Sequence, residues 1–147
     1  MKRILFISTG NSSRSQMAEG IINHHYKGVA EAVSAGVTPT EIHPYAVRVM
    51  KEIGIDISGQ TVNKPEDFKD EQFDYIITLC DNARENCPVF WTQGEAVHEH
   101  INFDNPELFK GSVDHLLQNF RDIRDQIEER LLTFFDRELK NSEKTLA

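Results

Sequence analysis

KRILFISTGNSSRSQMAEGII, Lys2 to Ile22, is the stretch on which the reading of this chain turns. Ile4 to Ile7 is apolar without a break, the pattern of a short strand covered on both faces, so Arg3 to Ile7 is taken as the first strand. Met17, Ile21 and Ile22 then form an i, i+4, i+5 stripe, which predicts a helix from Ser13 to Tyr26. The two are joined by Ser8-Thr9-Gly10-Asn11-Ser12-Ser13-Arg14. Gly10 can take positive φ without strain, and Asn11 tolerates the left-handed region better than most residues. A strand-to-helix turn of this kind directs successive backbone N–H groups inward as a concave anion nest. The helix N-terminus adds unpaired donors and partial positive charge. Arg14 supplies a planar fork for two oxygens of a tetrahedral oxyanion. The alternative is a serine-rich turn whose hydroxyls only cap the helix.

Outward from this stretch, strand and helix alternate without a repeat or linker. Val29 to Ser34 is a second strand, ended by Ala35-Gly36. His43-Pro44 opens another helix, with Val47, Met50 and Ile53 as its buried face and Gly54 closing it. Phe73 to Leu79 (FDYIITL) is the strongest strand, rich in β-branched and aromatic residues, and Val97 to Ile101 is a weaker edge strand. A long amphipathic helix is expected from Ser112 to Leu139, burying Val113, Leu116, Leu117, Phe120, Ile123, Ile127, Leu131 and Phe134. Residues 1–140 thus make one domain and residues 141–147 a polar C-terminal tail that frays. This alternation predicts a single-domain α/β three-layer sandwich, a four-stranded parallel sheet with helices on both faces. Ligands of such sheets sit at the carboxyl ends of the strands, which brings Ser8, Cys80 and the segment after Ile101 to one rim.

Composition narrows the function. The 147 residues suit one domain burying roughly 70% of its unfolded surface. A net charge of −8 argues against wrapping nucleic acid or lying on anionic lipid, so any anion must be held by a local site. No apolar run approaches the roughly 20 residues of a membrane span, and the apolar start is too short for a signal peptide, so a cytoplasmic monomer is expected. In that compartment the two cysteines, Cys80 and Cys87, suit redox or metal chemistry better than a structural staple.

STGNSSRSQMAEG resembles the phosphate-binding loop of low-molecular-weight protein tyrosine phosphatases and thioredoxin-coupled arsenate reductases. Their signature is Cys, five residues, then Arg, here spanning Ser8 to Arg14. SRSQMAEG after the loop, SAG at Ser34–Gly36, GIDISGQT at Gly54–Thr61 and TLC at Thr78–Cys80 favour the reductase branch. So does Cys87 with Pro88 behind it. The resemblance implies a small oxyanion, phosphate or arsenate, in the loop and thioredoxin as redox partner. It also implies a relay in which Cys80 attacks the loop cysteine and Cys87 resolves the disulfide. A potassium ion near the loop is implied too, at Asn11, Glu19, Ser34 and Asn63, with Asn63 replacing an acidic ligand.

Three departures bear on the chemistry. Ser8 stands at the nucleophile position, where the loop would lower a thiol pKa from about 8.5 to about 3.5–7.5. A serine hydroxyl needs an adjacent general base instead, and the sequence shows none beside Ser8. Ser13 replaces the second loop cysteine of the reductases, and in FDNPE the general-acid position, before Pro106, is Asn105, with Asp104 one residue away. Turnover is therefore expected to be absent or severely reduced while anion binding survives. Two other functions fit these residues: a naturally non-catalytic oxyanion-binding or regulatory protein, and a thiol–disulfide protein using Cys80 and Cys87. Were residues 80–87 helical, the two Cα atoms would lie about 10.5 Å apart. A disulfide needs them within about 7 Å, so the segment would have to unwind. His98 and His100 share a strand face, but two ligands are too few for a metal site, and a surface pair is the better reading.

Overall fold

A computed structural model of the chain describes residues 1–80 and 95–146, with side chains described as far as Leu139. Four strands form one parallel sheet: β1 (Lys2–Ser8), β2 (Ala30–Gly36), β3 (Tyr75–Thr78) and β4 (Val97–His100), in the order β2-β1-β3-β4. The helices are α1 (Arg14–His25), α2 (Pro44–Lys51) and α3 (Val113–Leu146), with 3-10 turns at Pro65–Phe68 and Pro106–Leu108. β1 is central. The chain leaves it to build β2 on one side and returns to build β3 on the other, so the loop after β1 opens at the topological switch point of the sheet.

Residues of β1 alternate between two cores. Ile4 and Phe6 face the larger one, with Met17, Ile21 and Ile22 of α1 and Phe120, Ile127, Leu131 and Phe135 of α3. Phe135 meets Phe6 and Tyr75 edge-on, at ring centroids of 6.3 and 5.3 Å. Each such buried phenylalanine contributes roughly 2–3 kcal/mol. Leu5 and Ile7 face the smaller core with Ala35, Phe73, Ile76 and Cys80, and Phe68 of the first 3-10 turn packs against it. All three α-helices supply residues to the larger core. Among the described residues, no helix is long and apolar enough to cross a membrane.

Several sequence expectations shift. β2 continues through Ala35 and Gly36, because Ala35 and Gly36 stay in register with Ile7 and Ser8. α2 buries Ala46, Val49 and Met50, leaving Val47 and Ile53 only half-buried. Its phase is set by His43, whose Nδ1 accepts from the Tyr45 N–H, and Ile53 lies in the turn after the helix. Val113 is 53% exposed, since α3 meets the core only from Leu117 onward. The helix runs on to Leu146, past the end expected at Leu139. β4 is an edge strand as expected, with Val97, His98 and Glu99 exposed.

Candidate functional site

The segment after β2 acts as a strap along the loop. Val37 N–H donates to the Ser8 carbonyl, Thr38 to Thr9, Thr40 to Gly10 and His43 to Ser12, at 2.8–3.1 Å. The Gln16 side-chain amide donates to the Asn11 carbonyl at 3.0 Å. In a planar trans peptide the carbonyl of one residue and the N–H of the next point opposite ways. Engaging five consecutive carbonyls on the outside therefore turns the N–H groups of residues 9–13 to the inner side, the arrangement of an anion nest. Of the two residues the sequence offered for positive φ, Gly10 and Asn11, it is Asn11 that adopts it, at 52°. The close approach belongs to Gly36, where a Cβ would stand 2.7 Å from the Asn11 nitrogen. Glycine at that strand end lets β2 pack against the loop.

Arg14, the first residue of α1, is 8% exposed. One guanidinium nitrogen donates to the Phe103 carbonyl at 3.1 Å, beyond the end of β4. No acidic side chain pairs with Arg14 among the described residues. A buried cation without a counter-ion is costly, and amides turned inward beside it are a geometry able to hold an anion.

Ser8 is buried and its hydroxyl lies 2.6 Å from the Ser15 hydroxyl, its one side-chain partner among the described residues. Among the described residues no imidazole or carboxylate hydrogen-bonds to it to act as a base. The Asn11 side-chain amide donates to both Ser15 and Ser34 at 2.9 Å, and Ser34 donates to Glu19 at 2.8 Å. Burial pushes the Glu19 carboxyl up to about 7, with the Ser34 bonds pulling the other way. The four residues implied as potassium ligands do converge through hydrogen bonds. Asn11 Oδ1 accepts the Asn63 N–H at 2.8 Å, and the Ser34 carbonyl accepts from the Asn63 amide at 3.1 Å. Each of these oxygens has a second lone pair, so one accepted N–H does not bar it from coordinating a cation.

Cys80 reaches the same rim: it is 5% exposed and its Sγ lies 3.2 Å from Thr9 Oγ1. Cys87, and the unwinding expected between it and Cys80, fall outside the described residues. Among the described residues Asn105 hydrogen-bonds to neither Ser8 nor Arg14. Its Oδ1 accepts the Glu107 N–H at 3.0 Å, capping the second 3-10 turn. Asp104 is exposed and forms no hydrogen bond among the described residues. The carboxylate that does reach the loop is Glu107, whose Oε2 accepts from the hydroxyls of both Ser12 and Ser13. Sequence reasoning missed it, although it is the acidic residue immediately after Pro106 in FDNPE. His100 Nδ1 pairs with Thr78 Oγ1 at 2.8 Å while His98 is exposed, and no group of three or more His, Cys, Asp or Glu that could hold a metal exists among the described residues.

A sheet of this order, with a strapped loop and an arginine at its switch point, defines a single-domain α/β protein of the low-molecular-weight phosphatase type. Residues 3–145 match the family described as low molecular weight phosphotyrosine protein phosphatase, and the chain belongs to that family. Its relatives include an arsenate reductase of Halalkalibacterium halodurans, 40% identical over 133 residues, which are 90% of this chain and 94% of that one. A glutaredoxin arsenate reductase of Synechocystis is 36% identical over 89% of this chain and 94% of its own length. A solved arsenate reductase in the phosphate binding state is 34% identical with a TM-score of 0.79, covering 93% of this chain and 98% of that one.

Proposed function

We propose that this chain binds phosphate or arsenate in the loop Ser8–Arg14 and that loop-based phosphatase or reductase turnover is absent or severely reduced in this sequence. The observation that carries the binding half is Arg14, buried beside inward-turned amides with no acidic partner among the described residues. Ser8, with only the Ser15 hydroxyl for company, supports the loss of turnover, as does an amide at Asn105 where the family carries its acid. The related arsenate reductase solved in a phosphate binding state favours the same ligand class.

Calorimetric titration with phosphate and arsenate is expected to give saturable binding to one site. Turnover with arsenate plus a thioredoxin, or with an aryl phosphate, should lie roughly a thousandfold or more below that of a Ser8→Cys, Ser13→Cys, Asn105→Asp variant. Equal turnover by the unsubstituted chain, or no anion binding by either protein, defeats the reading. A potassium ion at Asn11, Glu19, Ser34 and Asn63 would raise the melting temperature in potassium chloride over sodium chloride, and an unchanged melting temperature removes it.

A second reading has its own observation. Cys80 Sγ stands against Thr9 at the loop rim, a position from which a thiol could exchange with Cys87 and a thioredoxin or glutaredoxin partner. Mass spectrometry after mild oxidation decides it, since absence of a Cys80–Cys87 disulfide removes that role.

A further inference from the structure

The second 3-10 turn brings a carboxylate to an anion site, where electrostatics alone would exclude one. Pro106 is buried and anchors the turn, and Asn105 fixes the Glu107 backbone N–H, so the Glu107 side chain starts from a set point. Its Oε2 then accepts hydrogen bonds from the hydroxyls of Ser12 and Ser13, residues only 4% and 2% exposed, the second at 2.9 Å. Two donors on adjacent loop residues converge on one oxygen. Among the described residues Glu107 has no cationic partner, and its other oxygen has no hydrogen bond.

A carboxylate accepts hydrogen bonds and cannot donate them. An oxyanion entering the loop beside Glu107 meets a like charge unless it brings a proton of its own to share. Hydrogen phosphate and hydrogen arsenate keep at least one proton at neutral pH, whereas sulfate keeps none. We propose that Glu107 sets the ligand class of the loop: held by Ser12 and Ser13, it favours a tetrahedral oxyanion that still carries a proton over a fully ionised one. This rests on the loop being the anion site proposed above, and it assigns Glu107 a binding role separate from any acid at position 105.

The test is calorimetric titration of the full chain with sodium phosphate and with sodium sulfate, at neutral pH and fixed ionic strength. The variant is Glu107→Gln, which keeps the shape, removes the charge and adds a donor. Asp70→Asn, an exposed position in the loop before β3, controls for net charge. The unsubstituted chain and Asp70→Asn should bind phosphate about tenfold or more tightly than sulfate, the worth of one charge-assisted hydrogen bond. Glu107→Gln should bring the two anions within about threefold, mainly by tightening sulfate. A phosphate preference that survives in Glu107→Gln, or that is missing from the unsubstituted chain, overturns the role of Glu107 while leaving the anion site standing. Binding of neither anion by any of the three proteins overturns the anion site itself, and this inference with it.

Discussion

Arg14 and Arg124 are buried alike, each 8% exposed, yet they have opposite surroundings. Arg124 on α3 donates to the Val49 carbonyl at 2.9 Å, to Glu52 at 2.9 Å and to Asp125 at 2.8 Å. Its charge is answered twice and it ties the long helix to α2. Glu52 also pairs with Arg121, and the Arg121 bonds hold its carboxyl below the usual range. Arg14 has one carbonyl and no carboxylate among the described residues, and it sits where five loop carbonyls have been drawn to the outside. Arg124 is satisfied by the fold. Arg14 is left with a charge that no described carboxylate answers, as the proposed anion site requires.

Substitution should separate the two. Arg14→Gln is expected to weaken phosphate binding by about a hundredfold or more, through loss of a bidentate charged contact, with little effect on stability. Arg124→Gln should do the reverse, costing roughly 2–4 kcal/mol because it leaves Glu52 and Asp125 short of a partner, a figure kept low by the partial exposure of both carboxylates. Its phosphate affinity should stay within about twofold. Urea unfolding and calorimetry on the same two proteins read both effects, and the contrast collapses if each variant loses stability and binding together.

Glu19 sharpens the comparison from the acidic side, being 9% exposed with Ser34 as its hydrogen-bond donor and no cationic side-chain partner among the described residues. Its carboxyl is raised from 4.5 to about 7 by burial. The native state thus holds a proton that the unfolded chain releases. The resulting stability is fully present below about 4.5 and is lost as pH rises through about 7, an amount of roughly 3 kcal/mol. In urea unfolding at pH values on either side of that window, the unsubstituted chain should lose this stability and Glu19→Gln should not. Identical pH profiles for the two proteins would place the titration elsewhere.

Much of the scaffold was legible in the residues. The apolar run Ile4–Ile7 and the β-branched stretch ending at Thr78 are fully buried strands, and burial on both faces leaves a signature that any sequence shows. The loop was legible for a similar reason, since strand, polar turn and helix follow one another without a break. What was not legible depends on distant partners. Nothing local announces that residues 37–43 strap the loop, because the bonds join backbone groups about thirty residues apart and carry no side-chain pattern. Glu107 was passed over because attention fell on the residues before Pro106, yet a 3-10 turn carries the following side chain to Ser12 and Ser13. Residue type alone allowed positive φ at Gly10 or Asn11, and the Asn11 side chain, bonded on both its oxygen and nitrogen, holds that conformation at position 11.

The account stands or falls on whether the amides turned inward by the strap meet an oxyanion. Titration of phosphate into 15N-labelled protein, followed by amide proton and nitrogen shifts, asks this directly. The prediction is saturable shifts largest at Thr9 through Arg14, vanishing in Arg14→Gln and unchanged in Arg124→Gln. Shifts centred away from that loop, or none at saturating phosphate, would contradict it.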